Sequence, residues 1–354
     1  MALISRALSG DLPRNRILTA LLIAIVAGLA LAPFVFPGAK ALNVAAKICI
    51  FIVLVASFDL LLGYTGIVSF AHTMFFGIGA YGVAIALTRL GPSWAAVGTG
   101  IAAALALSFG LSLVIGLFSL RVKAIFYAMI TLAVASAFQT FASQLSEITG
   151  GEDGLNFKVP ELLSPGFSLV EQPFLGVSVD GKLISYYLLF AVTVVLFLVM
   201  LRIVNSPFGR VLQAIRENDF RAEALGYRTV VYRTCSNVLS AGFATLAGAL
   251  LALWLRYNGP DTSLSFDIMI DILLMVVIGG MGTLYGAVIG ASLFVIAQNY
   301  LQDLMKLASD AAAGIPLLPN LVHPDRWLLW LGILFVLSVY HFPAGIVGRL
   351  RGKK

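Results

Sequence analysis

The chain has 354 residues, of which 60% are apolar and only 11% are Asp, Glu, Lys or Arg. A soluble domain of this length keeps about a quarter of its residues charged, so a water-soluble fold is excluded. The formal charge of +6 is not a nucleic-acid signal, because the basic residues sit in connections beside apolar blocks, where they report membrane topology.

Residues 1–16 form a basic segment, read as cytoplasmic, with Arg6, Arg14 and Arg16. The first apolar block, Ile17 to Phe36, carries a cleavage-like Ala30-Leu31-Ala32. It is longer than the roughly 7 to 15 residues of a signal core, and Pro33 follows directly, so it is expected to stay as an anchor. Val44 to Leu62, Ile67 to Thr88, Trp94 to Ser119 and Ala124 to Leu145 come next. Residues 146–183 form an acidic connection with Glu152, Asp153, Glu161 and Glu171, and its glycines and prolines (Pro160, Pro165, Pro173) predict ordered turns rather than a span.

Ile184 to Val204 is followed by a connection at 205–229. There Ser206-Pro207 reads as a cap and first-turn proline, with Phe208, Val211, Leu212 and Ile215 on one helical face edged by Arg210, Arg216 and Arg221. Asn218 or Asp219 can cap a second short helix that ends at Gly226. Val230 to Leu255, Phe266 to Ile278, Leu284 to Met305 and Trp327 to Phe342 complete the blocks, and residues 343–354 form a basic tail. Phe266 to Ile278 is short and carries Asp267 and Asp271 at i, i+4, which suggests a half-span or re-entrant helix.

Apolar character without period-2 alternation favours helices over a barrel. The fold class is therefore an all-α integral membrane protein of about ten transmembrane helices, with residues 17–342 as one polytopic transmembrane domain. Basic clusters at the N-terminus, at Arg121 and Lys123, from Arg202 to Arg233, and at Arg349 to Lys354 should face the cytoplasm. The 146–183 connection should face outward; Lys40, Arg89 and Arg256 are exceptions to the charge rule. An even number of spans puts both termini inside.

Two glycine-rich turns stand out. Gly63-Tyr-Thr-Gly66, followed by Ser69, His72, Phe76, Gly77, Gly79 and Tyr81, joins two blocks through almost no loop, and Gly279-Gly280-Met281-Gly282-Thr283 joins two later ones. Small residues permit close helix packing, and polar groups within spans are either satisfied internally or line a wet path. Asp59 near the end of its span could cap, pair with an arginine or gate. Neither turn ends in Gly-Lys-Ser or Gly-Lys-Thr, and no such sequence occurs in the chain, so it is not expected to hydrolyse a nucleotide itself. Two cysteines, Cys49 and Cys235, and three scattered histidines give no metal set, no disulfide framework and no catalytic constellation.

The run from Gly63 to Tyr81 resembles the signature of the permease subunits of branched-chain amino acid ABC importers, specifically the longer of their two membrane subunits. Residues 120–132, Thr149-Gly-Gly-Glu-Asp-Gly-Leu155, Ser206 to Asn218 with Gly226, and Gly279 to Gly286 agree in order. The family often has Gly where Ala71 stands and a small residue where Met74 stands, which bears on substrate identity.

The resemblance implies a non-enzymatic subunit in a bacterial inner membrane that moves branched-chain or related amino acids, or similar small polar solutes, from periplasm to cytoplasm. It implies a second homologous permease, two ATPases that carry ATP and Mg, and a periplasmic binding protein, with no cofactor on this chain and lipid around it. Ser69, His72, Phe76 and Tyr81 are the expected path or gate, and Gly63, Gly66, Gly77, Gly79, Gly279, Gly280 and Gly282 the structural turns. Arg210, Leu212, Ile215, Arg216, Glu217 and Gly226 are expected to couple to the ATPase, the apolar stripe docking in its cleft. Gly151, Glu152 and Asp153 are expected to face the binding protein. Because the binding protein would supply most of the affinity, a path of small and weakly polar residues is sufficient here. A self-contained secondary transporter or channel is the alternative, and it would move solute without ATP or partners.

Overall fold

The computed structural model of the chain describes residues 15–36, 38–119, 124–168, 179–311, 323–342 and 344–351. Arg6, Arg14, Arg121, Lys123, Glu171, Pro173 and Lys353–Lys354 lie outside the described residues. The first five helices are α1 Arg16–Val35, α2 Ala39–Thr65, α3 His72–Leu90, α4 Trp94–Ser119 and α5 Ala124–Gln144. Then come the single turn α6 Ser146–Thr149, α7 Gly181–Val204, the short α8 Pro207–Glu217 and α9 Asp219–Ala224, and α10 Thr229–Leu255. The chain continues through α11 Pro260–Ser263, α12 Phe266–Gly279, α13 Leu284–Ala311, α14 Trp327–His341 and α15 Gly345–Arg351. Among the described residues, 10 segments are long and apolar enough to cross a membrane.

Burial sorts these spans into two shells. The most apolar window of α2 is 94% buried, against 22% for that of α5, so α2 is the axis of the bundle and α5 presents side chains such as Ile125 and Met129 outward. Around α2 pack α10, α13, α7 and α12, and α3 packs on α10 and α4. Lipid is as apolar as leucine, so helices of this kind gain from close approach of small residues rather than from excluding water. At α3 against α10 the approach is closest: a Cβ on Gly79 would overlap the Thr245 carbonyl, and one on Gly248 would overlap the Phe76 carbonyl.

Two departures from regular helix position the rest. The block that begins at Ile67 becomes helical only at His72. Gly66 closes α2 at φ +75°, its N–H reaching the Leu62 carbonyl at 3.1 Å, and in the connection that follows the Phe70 N–H is taken up by Thr131 Oγ1 at 3.0 Å. The second departure is α12, whose 14 residues span about 21 Å at 1.5 Å each, short of the roughly 30 Å hydrocarbon core. It reaches spanning length only with α11; the two are separated by Leu264 and Ser265, and Ser265 Oγ caps α12 by accepting from the Asp267 N–H at 3.1 Å.

At the end of the bundle opposite α8 and α9, a two-stranded antiparallel ribbon joins β1 Leu155–Asn156 to β2 Tyr257–Asn258, with Leu155 opposite Asn258. It ties the acidic connection to the end of α10, a pairing with no sequence counterpart.

Candidate functional site

The α8–α9 segment is built by local chemistry. Ser206 Oγ accepts from the Gly209 N–H at 3.4 Å and Pro207 occupies the first turn, whereas Asn218 Oδ1 accepts from the Arg221 N–H at 2.9 Å and so starts α9. α9 ends in a left-handed Gly226 at φ +90°, with Gly226 N–H on the Glu223 carbonyl and Tyr227 N–H on the Ala222 carbonyl, the paired bonds of a Schellman cap. Arg233 bridges to Asp219 at 2.9 Å and holds α9 against the start of α10.

The apolar stripe of α8 does not face outward. Leu212 and Ile215 are buried, Phe208 stacks on Tyr232 with ring centroids 5.7 Å apart, and α8 rests on α2, α7 and α10. The expectation that this stripe docks into an ATPase cleft is therefore corrected: burying it on the chain's own core removes the same apolar area from water. Among the residues that α8, α9 and the turn after them leave exposed are Arg210, Gln213, Arg216 and Glu217, together with Phe220 at 82% and Leu225 at 73% exposure.

Arg216 is itself exposed, but its guanidinium reaches back to the end of α2. Its Nη1 donates to the Gly63 carbonyl, one of the carbonyls left over at the C-terminal end of α2, where a cation is favourable. One turn back, Asp59 is 1% exposed; its Oδ1 accepts from the Gly282 N–H at 2.8 Å, and its carboxylate also interacts with the Thr283 backbone N–H and with the Arg216 charge. Gly63 lies against the Gly282 backbone so closely that a Cβ would overlap it, and Gly282 takes φ +82°. The two glycine turns, read in the sequence as separate packing motifs, are one junction, held by Asp59 and Arg216. Gly280 lies in the same turn at φ +115°, and Gly279 packs on the Gly286 carbonyl.

Ser69, His72, Phe76 and Tyr81 are all buried, but they do not share one cavity. His72 Nε2 lies 2.8 Å from Ser57 Oγ and 3.3 Å from the Leu54 carbonyl. Ser57 gives its one proton to that carbonyl at 2.7 Å, so Nε2 is assigned the hydrogen and donates. Ser69 Oγ accepts from the Ala71 N–H at 3.4 Å, and Tyr81 packs with Ala142 and Leu264. Gly77 lies over Leu264. Phe76 alone of the four reaches the large cavity described next.

That cavity, of about 1220 Å³, opens at the end remote from α8 and is walled by the first half of α2, the start of α7, the end of α10, α11 and α12, and α13. At its mouth Lys40 and Asp303 pair at 2.5 Å, both more than half exposed. Deeper by about 10 Å along α2, Lys47 Nζ donates to Gln298 Oε1 at 2.8 Å, and Gln298 Nε2 donates to Asp271 Oδ2 at 3.3 Å. Charges line this wall, as residues of this kind within spans do when they face water. Lys47 and Gln298 carry no motif; a lysine within an apolar block was the available signal. Asp271 was visible in the sequence, while its partners were not.

Beside the cavity end, Thr149 to Gly154 folds into a tight turn with Gly150, Gly151 and Gly154 all at positive φ. Thr149 Oγ1 donates to the Ala142 carbonyl at 2.6 Å and Tyr257 OH to the Asp153 carbonyl at 3.1 Å, while the Glu152 and Asp153 side chains stay exposed.

Residues 40–339 match the profile of the family described as branched-chain amino acid transport system, permease component. The high-affinity branched-chain amino acid transport system permease protein LivM of Salmonella typhimurium is 26% identical over 299 residues, covering 81% of this chain and 69% of its own length. The corresponding permease protein BraD of Pseudomonas aeruginosa is 26% identical, covering 75% of this chain and 87% of its own. The autoinducer 2 import system permease protein LsrC of Salmonella typhimurium is 31% identical over 50% of this chain and 49% of its own.

Proposed function

We propose that this chain, which belongs to the family of branched-chain amino acid transport permeases, is the membrane subunit of an ATP-driven importer of branched-chain or related amino acids, or similar small polar solutes. It is a multi-pass membrane protein of a bacterial inner membrane in this reading, with both termini and the 205–229 connection in the cytoplasm and the 146–183 connection in the periplasm. ATP and Mg reside on two partner ATPases, a second homologous permease completes the path, and a binding protein delivers solute beside Gly151, Glu152 and Asp153. The chain carries out no chemistry of its own.

One observation carries the coupling half of the proposal: Arg216, at the end of the α8 helix, reaches the junction where the two glycine turns meet. A push on α8 or α9 from a cytoplasmic partner therefore acts at once on the ends of α2, α12 and α13. Those same helices wall the solute cavity at their far ends, so one rigid-body motion links the two ends of the bundle. Phe220 and Leu225, exposed on α9, supply the apolar anchors a partner needs, with Arg210 and Glu217 fixing register. Lys47, Asp271 and Phe76 wall the path in this proposal, rather than the buried Ser69, His72 and Tyr81.

The first test is to tag the chain, extract it in mild detergent from its native membrane and identify what co-purifies by mass spectrometry. A second permease and two chains with phosphate-loop motifs are expected, with uptake in proteoliposomes that requires ATP. A chain that purifies alone and moves solute without ATP would establish the secondary-transporter reading instead.

A further inference from the structure

We infer that Lys47, Gln298 and Asp271 form a binding station on the permease itself for the zwitterionic head of an α-amino acid with an apolar side chain. The station rests on the import reading above and deepens it, since it places solute recognition in the membrane as well as in the binding protein.

The hydrogen-bond chemistry fixes the arrangement. A lysine ammonium can only donate and a carboxylate can only accept, so the Gln298 amide has one allowed orientation: its oxygen toward Lys47 at 2.8 Å and its nitrogen toward Asp271 at 3.3 Å. Gln298 thus holds a cation and an anion apart. They form no direct ion pair, in contrast to Lys40 and Asp303 at the mouth, which do. Each keeps unused capacity: Lys47 has two further protons and Asp271 further lone pairs. Lys47 is also held over the Phe51 ring, 5.6 Å from its centroid, which keeps the ammonium at the wall.

Spacing and surroundings match one class of ligand. With an amide width of about 2.3 Å from standard bond lengths, the ammonium and carboxylate lie at most about 8 Å apart. An α-amino acid laid alongside Gln298, its carboxylate on Lys47 and its ammonium on Asp271 through charge-assisted bonds of about 2.8 Å, spans that distance. A solute with only one charge would leave the opposite group unmatched. Ile50, Phe51, Phe76, Leu251 and Ile268 line the same cavity and can take an aliphatic side chain, while Lys182, Arg256, Asp261 and Asp267 add further charge to its wall. The uncharged parts of the cavity alone would not discriminate.

The test uses the purified permease complex without its binding protein, so that only this wall is sampled. Thermal unfolding is followed against L-leucine, isoamylamine, which lacks the carboxylate, and 4-methylpentanoate, which lacks the ammonium. Leucine is expected to bind at least about tenfold more tightly than either, as the loss of one charge-assisted contact implies. Lys47→Met and Asp271→Asn should each remove that preference, and Lys47→Arg should keep it. Equal protection by all three compounds in the wild type, which needs no variant to fold, would overturn the station, as would an unchanged preference in Asp271→Asn. ATP-dependent leucine uptake by the complete complex is measured in parallel. Uptake without head-group preference refutes the station alone, whereas preference without ATP-dependent uptake retains the station and refutes the importer reading.

Discussion

Replacing Arg216 with methionine should uncouple transport from ATP hydrolysis. Methionine keeps an apolar stem to lie against Gly66, where the Arg216 side chain rests, and removes only the guanidinium. Two interactions go with it: the donor to the Gly63 carbonyl, and the charge near the buried Asp59 carboxylate. A hydrogen bond to a charged group contributes about 1.5–3 kcal/mol, and the exposed position of Arg216 on α8 argues for the low end because water screens it. About 1.5 kcal/mol is roughly a tenfold shift in the equilibrium between docked and undocked α8. Uptake in proteoliposomes should therefore fall about tenfold while ATP hydrolysis by the assembled complex persists. Arg216→Lys should recover part of it, because an ammonium reaches one acceptor but lacks the planar fork. The decisive measurement is the double-mutant cycle with Asp59→Asn. If both residues hold one junction, the combined loss is smaller than the sum by 0.5 kcal/mol or more; strict additivity, or normal uptake in Arg216→Met, would refute the reasoning.

Three further outcomes follow from other parts of the molecule. Gly79→Leu or Gly248→Leu forces a side chain onto a backbone carbonyl that cannot move aside, so α3 and α10 must separate; a loss of about 1–3 kcal/mol should lower the thermal midpoint in detergent, and an unchanged midpoint would mean the helices are less closely packed. Phe220→Asp places a charge on the most exposed apolar residue of α9 and should weaken ATPase retention in pull-downs about tenfold, as for a lost interface anchor, without altering the fold of the chain. On a cysteine-free background, Glu152→Cys should react with an impermeant maleimide in intact spheroplasts and Phe220→Cys only after the membrane is opened; the reverse pattern would invert the topology.

The span pattern was legible in the sequence because it is a property of each residue and its near neighbours. In hydrocarbon a backbone must satisfy its own hydrogen bonds, so every long apolar block becomes a helix. The blocks from Trp94 to Ser119 and Ile184 to Val204 accordingly end where the sequence ends them, or within three residues of it. Local chemistry settled the caps at Ser206 and Asn218 and the left-handed turn at Gly226 for the same reason.

What the sequence could not decide is which surfaces meet. Lipid and core are both apolar, so hydropathy does not distinguish the outward face of α5 from the buried face of α2, nor does the stripe on α8 say whether it rests on its own bundle or on a partner. Asp59 and Gly282 stand 223 positions apart, and Lys47 and Gln298 251 apart. No periodicity encodes contacts at such separations. Only the packing of α2 against α12 and α13 brings the two glycine turns into one junction at one end of the bundle and a lysine, a glutamine and an aspartate into one layer at the other, because burial of charge in a membrane is tolerated only where such partners converge.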